Sequence, residues 1–307
     1  MSSRDAREVR IGTRQLRLVN LEKVLYPQAR FTKAQVIEYY AAIAKVLLPH
    51  LRDRPLTLKR YPNGVDQPYF YEKRCPQHRP AWVRTADADG IRFCLVNDLA
   101  SLVWVANLAD LELHVPLARA RSYARPDQIV FDLDPGAPAD IVQCCEVGLL
   151  LHRLFDSLGL RCYAKTSGSK GLQVYLPLNV PGVTYDDTKP FARAVAELLE
   201  RERPAAIVSN MKKSLRTGKV LVDWSQNDPH KTTVCVYSLR AKERPWVSTP
   251  VSWEEVERCA RTHDAGALAF DSAAVLRRVQ SHGDLFAPLL KEKQKLPRLG
   301  AAARVSS

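Results

Sequence analysis

Gln128-Ile129-Val130-Phe131-Asp132-Leu133-Asp134-Pro135-Gly136 is the stretch that decides the fold. Ile129, Val130, Phe131 and Leu133 read as core strand, and Pro135-Gly136 stops it. Residues i and i+2 of a strand share a face, so Asp132 and Asp134 stand side by side at its end, beside a turn. Two adjacent carboxylates repel and are not readily buried ionised without a compensating cation. Hard oxygen ligands of this kind suit Mg²⁺ or Mn²⁺.

Working outward, a helix is expected over about 139–158, stopped by Gly159. Strands follow over 162–166 and 172–178, around the turn Ser167-Gly168-Ser169-Lys170-Gly171. Its glycines let backbone approach a ligand, while its N–H groups, hydroxyls and lysine suit phosphate oxygens. The turn does not fit GxxxxGK[ST], so it is not a Walker-type loop. A helix over 187–202 precedes a strand over 219–224, Lys-Val-Leu-Val-Asp-Trp, which carries Asp223. If the two aspartate strands are neighbours, three carboxylates converge in the arrangement used for two-metal phosphoryl transfer.

Upstream, Thr32 opens an apolar-periodic helix with Val36, Ile37, Tyr40, Ile43 and Val46 that ends near Pro49. Extended runs occupy 54–72, broken by Asn63-Gly64, and 91–115 mixes strand with short helix. Downstream, Ser252 and Glu255 form a capping box, and Asp271 caps a further helix. Alternating strands and helices define an α+β or α/β chain with no internal repeat.

The chain has 307 residues, with 46 Lys and Arg against 33 Asp and Glu, a net charge of +13. That charge favours a polyanionic partner. No apolar run approaches the roughly 20 residues of a membrane span, and the polar start MSSRDAREVR has no signal core. No membrane association is expected, and the expected location is the cytoplasm. The seven cysteines suggest neither a disulfide framework nor a zinc ribbon; Cys75 and His78 have metal-like spacing but no second pair.

FDLDPG, SGSKGL, VDWSQN and YSLRA occur in that order, with NLEKVLYP at 20–27, PLTLKRYP at 55–62, YFYEK at 69–73, HRPAWV at 78–83 and LELH at 111–114. This ordered set resembles the polymerase domain of bacterial ligase D, in the archaeo-eukaryotic primase superfamily, over about residues 12–290. The resemblance implies an α+β, primase-like fold of two modules with an RRM-like catalytic sheet. It implies one primase-polymerase domain over 11–292, after a flexible arm over 1–10 and before a basic flexible tail over 293–307.

The resemblance also assigns roles. Asp132, Asp134 and Asp223 match metal-binding catalytic acids for two divalent ions, Mn²⁺ or Mg²⁺. His114 matches a histidine near the phosphates of the incoming nucleoside triphosphate. Lys59, Ser167, Lys170, Gln173 and Arg240 match nucleotide contacts, and Phe70 and Tyr71 a base-stacking pair. Asn20, Lys23 and Lys33 match residues that hold the 5′-phosphate of a downstream strand. Many members carry histidine where this chain has Gln173, an amide that can donate a hydrogen bond but cannot become cationic.

The implied activity is templated extension of DNA ends and filling of 5′-phosphorylated gaps in non-homologous end joining, at the nucleoid, beside Ku and a separate DNA ligase. Acceptance of ribonucleotides and a preference for Mn²⁺ are implied as well. No KxDG ligase motif occurs, so a ligase is expected as a separate protein or outside this sequence. The rivals are a non-catalytic end-binding module of the same fold and a metal nuclease using the same acids.

Overall fold

The computed structural model describes residues 6–297. Ala6–Ile11 (β1) and Arg14–Val19 (β2) pair antiparallel. Val24–Tyr26 (β3) pairs with Phe31–Thr32 (β4), which leads into the helix Lys33–Leu51 (α1). Next come Thr57–Arg60 (β5), Phe70–Glu72 (β6), the hairpin Thr85–Ala88 (β7) and Ile91–Cys94 (β8), Leu99–Asn107 (α2) and Asp110–Val115 (β9). Gln128–Pro135 (β10), Ile141–Ser157 (α3), Tyr163–Thr166 (β11), Leu172–Pro177 (β12), Tyr185–Glu202 (α4), Ile207–Val208 (β13) and Val220–Asp223 (β14) follow. Thr233–Val234 (β15), Pro250–Val251 (β16), Trp253–Thr262 (α5) and Ser272–His282 (α6) complete the regular elements.

The chain forms two compact units. Among the described residues, one holds 6–121, 232–248 and 270–283; the other holds 122–231, 249–269 and 284–297. The first is built on the antiparallel sheet β15-β9-β5-β6. Helix α1 packs here through Val36, Ile37, Tyr40, Ile43 and Leu47. Its Tyr40 hydroxyl donates to the Leu111 carbonyl of β9 at 2.6 Å, which ties helix to sheet. Thr32 caps α1 in a capping box with Gln35, as its placement before the apolar period requires. The helix runs past the expected end at Pro49 to Leu51, because a proline so near the last turn removes only one interior N–H.

The second unit is built on the sheet β13-β14-β10-β12-β11-β16, antiparallel except for the β13–β14 edge. Phe131 and Leu133 are fully buried beneath α3, with the Phe131 and Phe155 rings 5.4 Å apart. Asp140 caps α3 in a box with Gln143. Two glycines set the approach of neighbouring loops to β10. A Cβ at Gly171 would collide with the Leu133 carbonyl, and one at Gly136 with the Arg216 carbonyl.

Three expectations need correction. Residues 6–10, expected as a flexible arm, belong to β1, where register with β2 satisfies their backbone; residues 1–5 lie outside the described residues. Within the expected tail, Gln294 hydrogen-bonds to Arg161, Leu178 and Pro177, whereas 298–307 lie outside the described residues. Cys75, read as unpaired, forms a disulfide with Cys94, their Cα atoms 4.8 Å apart. Strand β8 and the Cys75 N–H to Arg92 carbonyl bond bring together two residues distant in sequence. Among the described residues, no helix is long and apolar enough to cross a membrane.

Candidate active site

In the second unit, β10 lies between β12 and β14, and Asp132 is the direct cross-strand partner of Gln173 on one side and Asp223 on the other. Lys165 is in turn the partner of Gln173. A single row thus crosses the sheet in the order Lys165, Gln173, Asp132, Asp223, and Asp134 stands two residues along on the Asp132 face. The expected meeting of the two aspartate strands is present.

The carboxylates each engage other groups. Asp134 takes Lys170 Nζ at 3.1 Å and Arg216 Nη1 at 3.4 Å. Asp223 Oδ1 accepts from the Ser225 N–H and hydroxyl at 2.9 and 2.6 Å, and its Oδ2 from Gln226 at 2.9 Å. Among the described residues, no group of three or more His, Cys, Asp or Glu is gathered closely enough to hold a metal ion. The expected convergence therefore holds for register and face but not for the carboxylate tips. Like charges separate, and each takes the nearest donor. The residues still fit a hard divalent cation in kind: three carboxylates share one face, and one of them is strained in its charged form. Burial, reinforced by Asp223 and Asp134 and eased by the Gln173 hydrogen bond and Lys165, pushes the Asp132 carboxyl up to about 6.

Gln173, expected as a phosphate contact, is buried. The Tyr175 hydroxyl donates to its carbonyl at 3.2 Å, which turns its amide N–H toward Asp132. The Ser167 hydroxyl accepts the N–H groups of Ser169 and Gly171 at 3.2 and 3.1 Å and so shapes the turn. Lys170, from that turn, also reaches the Pro135 carbonyl at 3.0 Å.

In the first unit, the expected cations converge on a residue that the sequence reading did not select. Glu112 of β9 is buried, and its Oε2 lies 3.2 Å from Lys59 Nζ, 3.0 Å from His114 Nε2 and 3.4 Å from Arg240 Nε. Its Oε1 accepts the Ala241 N–H at 3.0 Å. Strand pairing explains the gathering: Glu112 and Lys59 are cross-strand partners, and His114 is two residues on from Glu112. Burial alone pushes the Glu112 carboxyl up, but the His114 hydrogen bond and the Arg240, His114 and Lys59 charges outweigh it and hold it well below the usual range. Burial, with the Arg240 and Lys59 charges, lowers the His114 pKa against the opposing pull of Glu112. Facing a carboxylate, which only accepts, the imidazole presents its Nε2–H to Glu112.

The expected aromatic pair is split. Tyr71 is the cross-strand partner of Lys59, and its ring lies 6.0 Å from that of His114. Phe70 pairs with Arg60 and lies under its guanidinium at 5.1 Å. Tyr69, which the sequence reading passed over, stands with Tyr71 at a ring distance of 5.9 Å, and Lys59 Nζ lies 4.6 Å over its ring. Tyr69 and Tyr71 are 51% and 55% exposed, an open aromatic surface beside the cations.

Asn20, Lys23 and Lys33 gather at the start of α1. The Lys23 and Lys33 N–H groups bond to the Asn20 and Lys23 carbonyls at 3.1 and 2.8 Å, and Asn20 adopts φ of 55° to allow the turn. Lys23 Nζ donates to Asn63 at 2.8 Å, and Lys33 Nζ to the Val19 carbonyl at 2.7 Å. Burial and the like charges of Lys23 and Arg60 lower the Lys33 pKa to about 8.

A primase-type α+β fold, with an aspartate pair on one strand answered by an aspartate on its neighbour, defines the class. Residues 32–286 match the family model "LigD, primase-polymerase domain". The chain belongs to that family. It is 42% identical over 280 residues to the multifunctional non-homologous end joining protein LigD of Mycolicibacterium smegmatis, covering 89% of this chain and 36% of that protein. It is 31% identical over 282 residues to the bifunctional LigD of Bacillus subtilis, covering 92% of this chain and 45% of that protein. The chain thus spans less than half the length of these relatives. Among solved structures, it matches the polymerase domain of Mycobacterium tuberculosis ligase D in complex with DNA, with a TM-score of 0.83 and 39% identity, over 90% of this chain and 98% of that one.

Proposed function

We propose that this chain is a metal-dependent, template-directed nucleotidyl transferase that adds ribo- or deoxynucleotides to DNA ends and fills 5′-phosphorylated gaps during non-homologous end joining. The observation that carries this reading is the cross-strand register of Asp132 and Asp223, with Asp134 on the same face. Those three residues would hold Mn²⁺ or Mg²⁺, which when bound lowers the pKa of an attacking hydroxyl and neutralises phosphate charge.

The other roles fall to the chain's own groups. Lys59, His114 and Arg240 receive triphosphate oxygens by charge-assisted hydrogen bonds, and Tyr71 with Tyr69 offers a π-face to the base. Stacking does not read base identity, so the template selects the nucleotide. Lys170 and the Ser167 turn serve phosphate, and Lys170 must leave Asp134 to do so. Gln173 acts one step removed, by orienting Asp132. Lys23, Lys33 and the first N–H groups of α1 suit the 5′-phosphate dianion of a downstream strand. The +13 net charge suits DNA as the partner. Ku and a DNA ligase are the expected collaborators, at the nucleoid.

Incubation with a 5′-phosphorylated gapped duplex, Mn²⁺ and each nucleotide tests this reading. Templated extension, lost in Asp132→Ala, is expected. Tight binding without extension would instead make the chain an end-binding module, and strand shortening would make it a nuclease.

A further inference from the structure

We infer that Glu112 is a positioning residue for nucleotidyl transfer: a buried carboxylate that holds Lys59 and Arg240 in place and fixes the proton of His114 on Nε2. The inference rests on the proposed role of these three residues toward triphosphate, and it adds a residue to which that reading gave no part.

The geometry carries it. Glu112 Oε2 is the shared partner of Lys59, His114 and Arg240, at 3.2, 3.0 and 3.4 Å. These partners come from three places in the chain: β5, β9 and the segment after β15. Three cationic or protonatable groups brought together without an anion would repel one another and spread among rotamers. With Glu112 beneath them, the rotamers of Lys59 and Arg240 are fixed before any ligand arrives, so less ordering entropy is lost when an anion binds. Glu112 itself cannot drift, because the Ala241 N–H holds its other oxygen at 3.0 Å.

The second consequence concerns a proton. A carboxylate only accepts, so His114 must present Nε2–H to it, and Nδ1 is left as the nitrogen able to take a proton. When phosphate charge arrives, a proton taken up from solvent at Nδ1 gives an imidazolium that the carboxylate behind it stabilises. The facing groups are Lys59 and Tyr71 across the sheet and Arg240 from the later segment; both cations oppose that protonation and Glu112 favours it.

Glu112→Gln tests the assignment with little change of shape. Glutamine is uncharged and offers one acceptor oxygen where the carboxylate offered two. Lys59, Arg240 and His114 then lose their shared anion, and the His114 Nε2–H is no longer fixed. The full chain is compared as wild type, E112Q and E112D by steady-state single-nucleotide extension, by titration with inorganic tripolyphosphate and by ¹⁵N NMR of the His114 ring. For E112Q the expected results are a mixed His114 tautomer, tripolyphosphate affinity about tenfold weaker because Lys59 and Arg240 are no longer held in place, and a kcat about 100-fold lower. E112D keeps two acceptor oxygens and the charge, so it is expected to restore the Nε2–H tautomer and part of kcat. An E112Q enzyme with wild-type kcat, or with lowered kcat and an unchanged tautomer, overturns the assignment. A wild type that neither binds tripolyphosphate nor extends DNA overturns the nucleotide reading instead, and the ring NMR still reports on the Glu112–His114 pair.

Discussion

The two units hold charge in opposite ways. In one, Lys59, His114 and Arg240 are drawn together by a buried anion, Glu112, whose partners all lie within 3.4 Å. In the other, Asp132, Asp134 and Asp223 share one sheet face, and the carboxylates of Asp134 and Asp223 are held by Lys170, Arg216, Ser225 and Gln226. The cationic cluster is assembled and the acidic one is not. The buried carboxylate organises the cations around one centre, whereas the donors of the acidic row each serve a single carboxylate. On the proposed function, the first unit is pre-formed for an anion, whereas the second exchanges internal partners for a cation.

The largest expected effect comes from the acidic row. Asp223→Ala should lower single-nucleotide extension by at least about 1,000-fold, as removal of a cation ligand from the reacting phosphate demands. DNA affinity should stay near wild type. Extension at wild-type rate would mean that the row is only structural.

On the cationic side, Tyr71→Ala should weaken nucleotide binding about tenfold, the loss of one stacking contact, whereas Phe70→Ala should change it little. Equal losses in a fluorescent-nucleotide titration would restore the aromatic pair that the strand alternation divides.

Lys33 gives a pH test in the same unit. Burial and like charges bring its pKa to about 8 in the folded protein. The ammonium is therefore present below that pH and lost as pH rises through it. Preference for a 5′-phosphorylated over a 5′-hydroxyl end should be about tenfold at pH 7 and should decline above pH 8. The same lowered pKa means that folding carries the full cost of the charged form below about pH 8, a cost that fades toward pH 10.5. A preference that stays constant to pH 10 would remove Lys33 from phosphate binding.

The smallest effect belongs to Gln173→His. An imidazole that can carry charge beside Asp132 should raise nucleotide affinity or turnover about fivefold. Unchanged kinetics would show that the amide oriented by Tyr175 already does the same work.

Much of the acidic row was legible in the sequence. Period-two spacing put Asp132 and Asp134 on one face, and the apolar run 219–224 marked the strand that brings Asp223 opposite. The engagement of the tips was not legible, because Arg216 reaches Asp134 from 82 residues away and no local pattern encodes that pair. Glu112 was within reach: it lies two residues before His114 in LELH, which in a strand means a shared face. Tyr69 and Tyr71 carried the same period-two signal, and the adjacency of Phe70 to Tyr71 masked it. The Cys75–Cys94 disulfide had no spacing signature, since it depends on how β8 meets the segment after β6. Residues 6–10 pair in register with β2, but charge along the run concealed the strand.

The central claim is that the three carboxylates leave their present partners to hold a divalent cation. Electron paramagnetic resonance of Mn²⁺ titrated into the full chain tests it directly. The expected result is loss of the free-ion signal at stoichiometric protein, abolished in Asp132→Asn and Asp223→Asn. Mn²⁺ bound equally well by those variants, or not bound by the wild type, would contradict the claim.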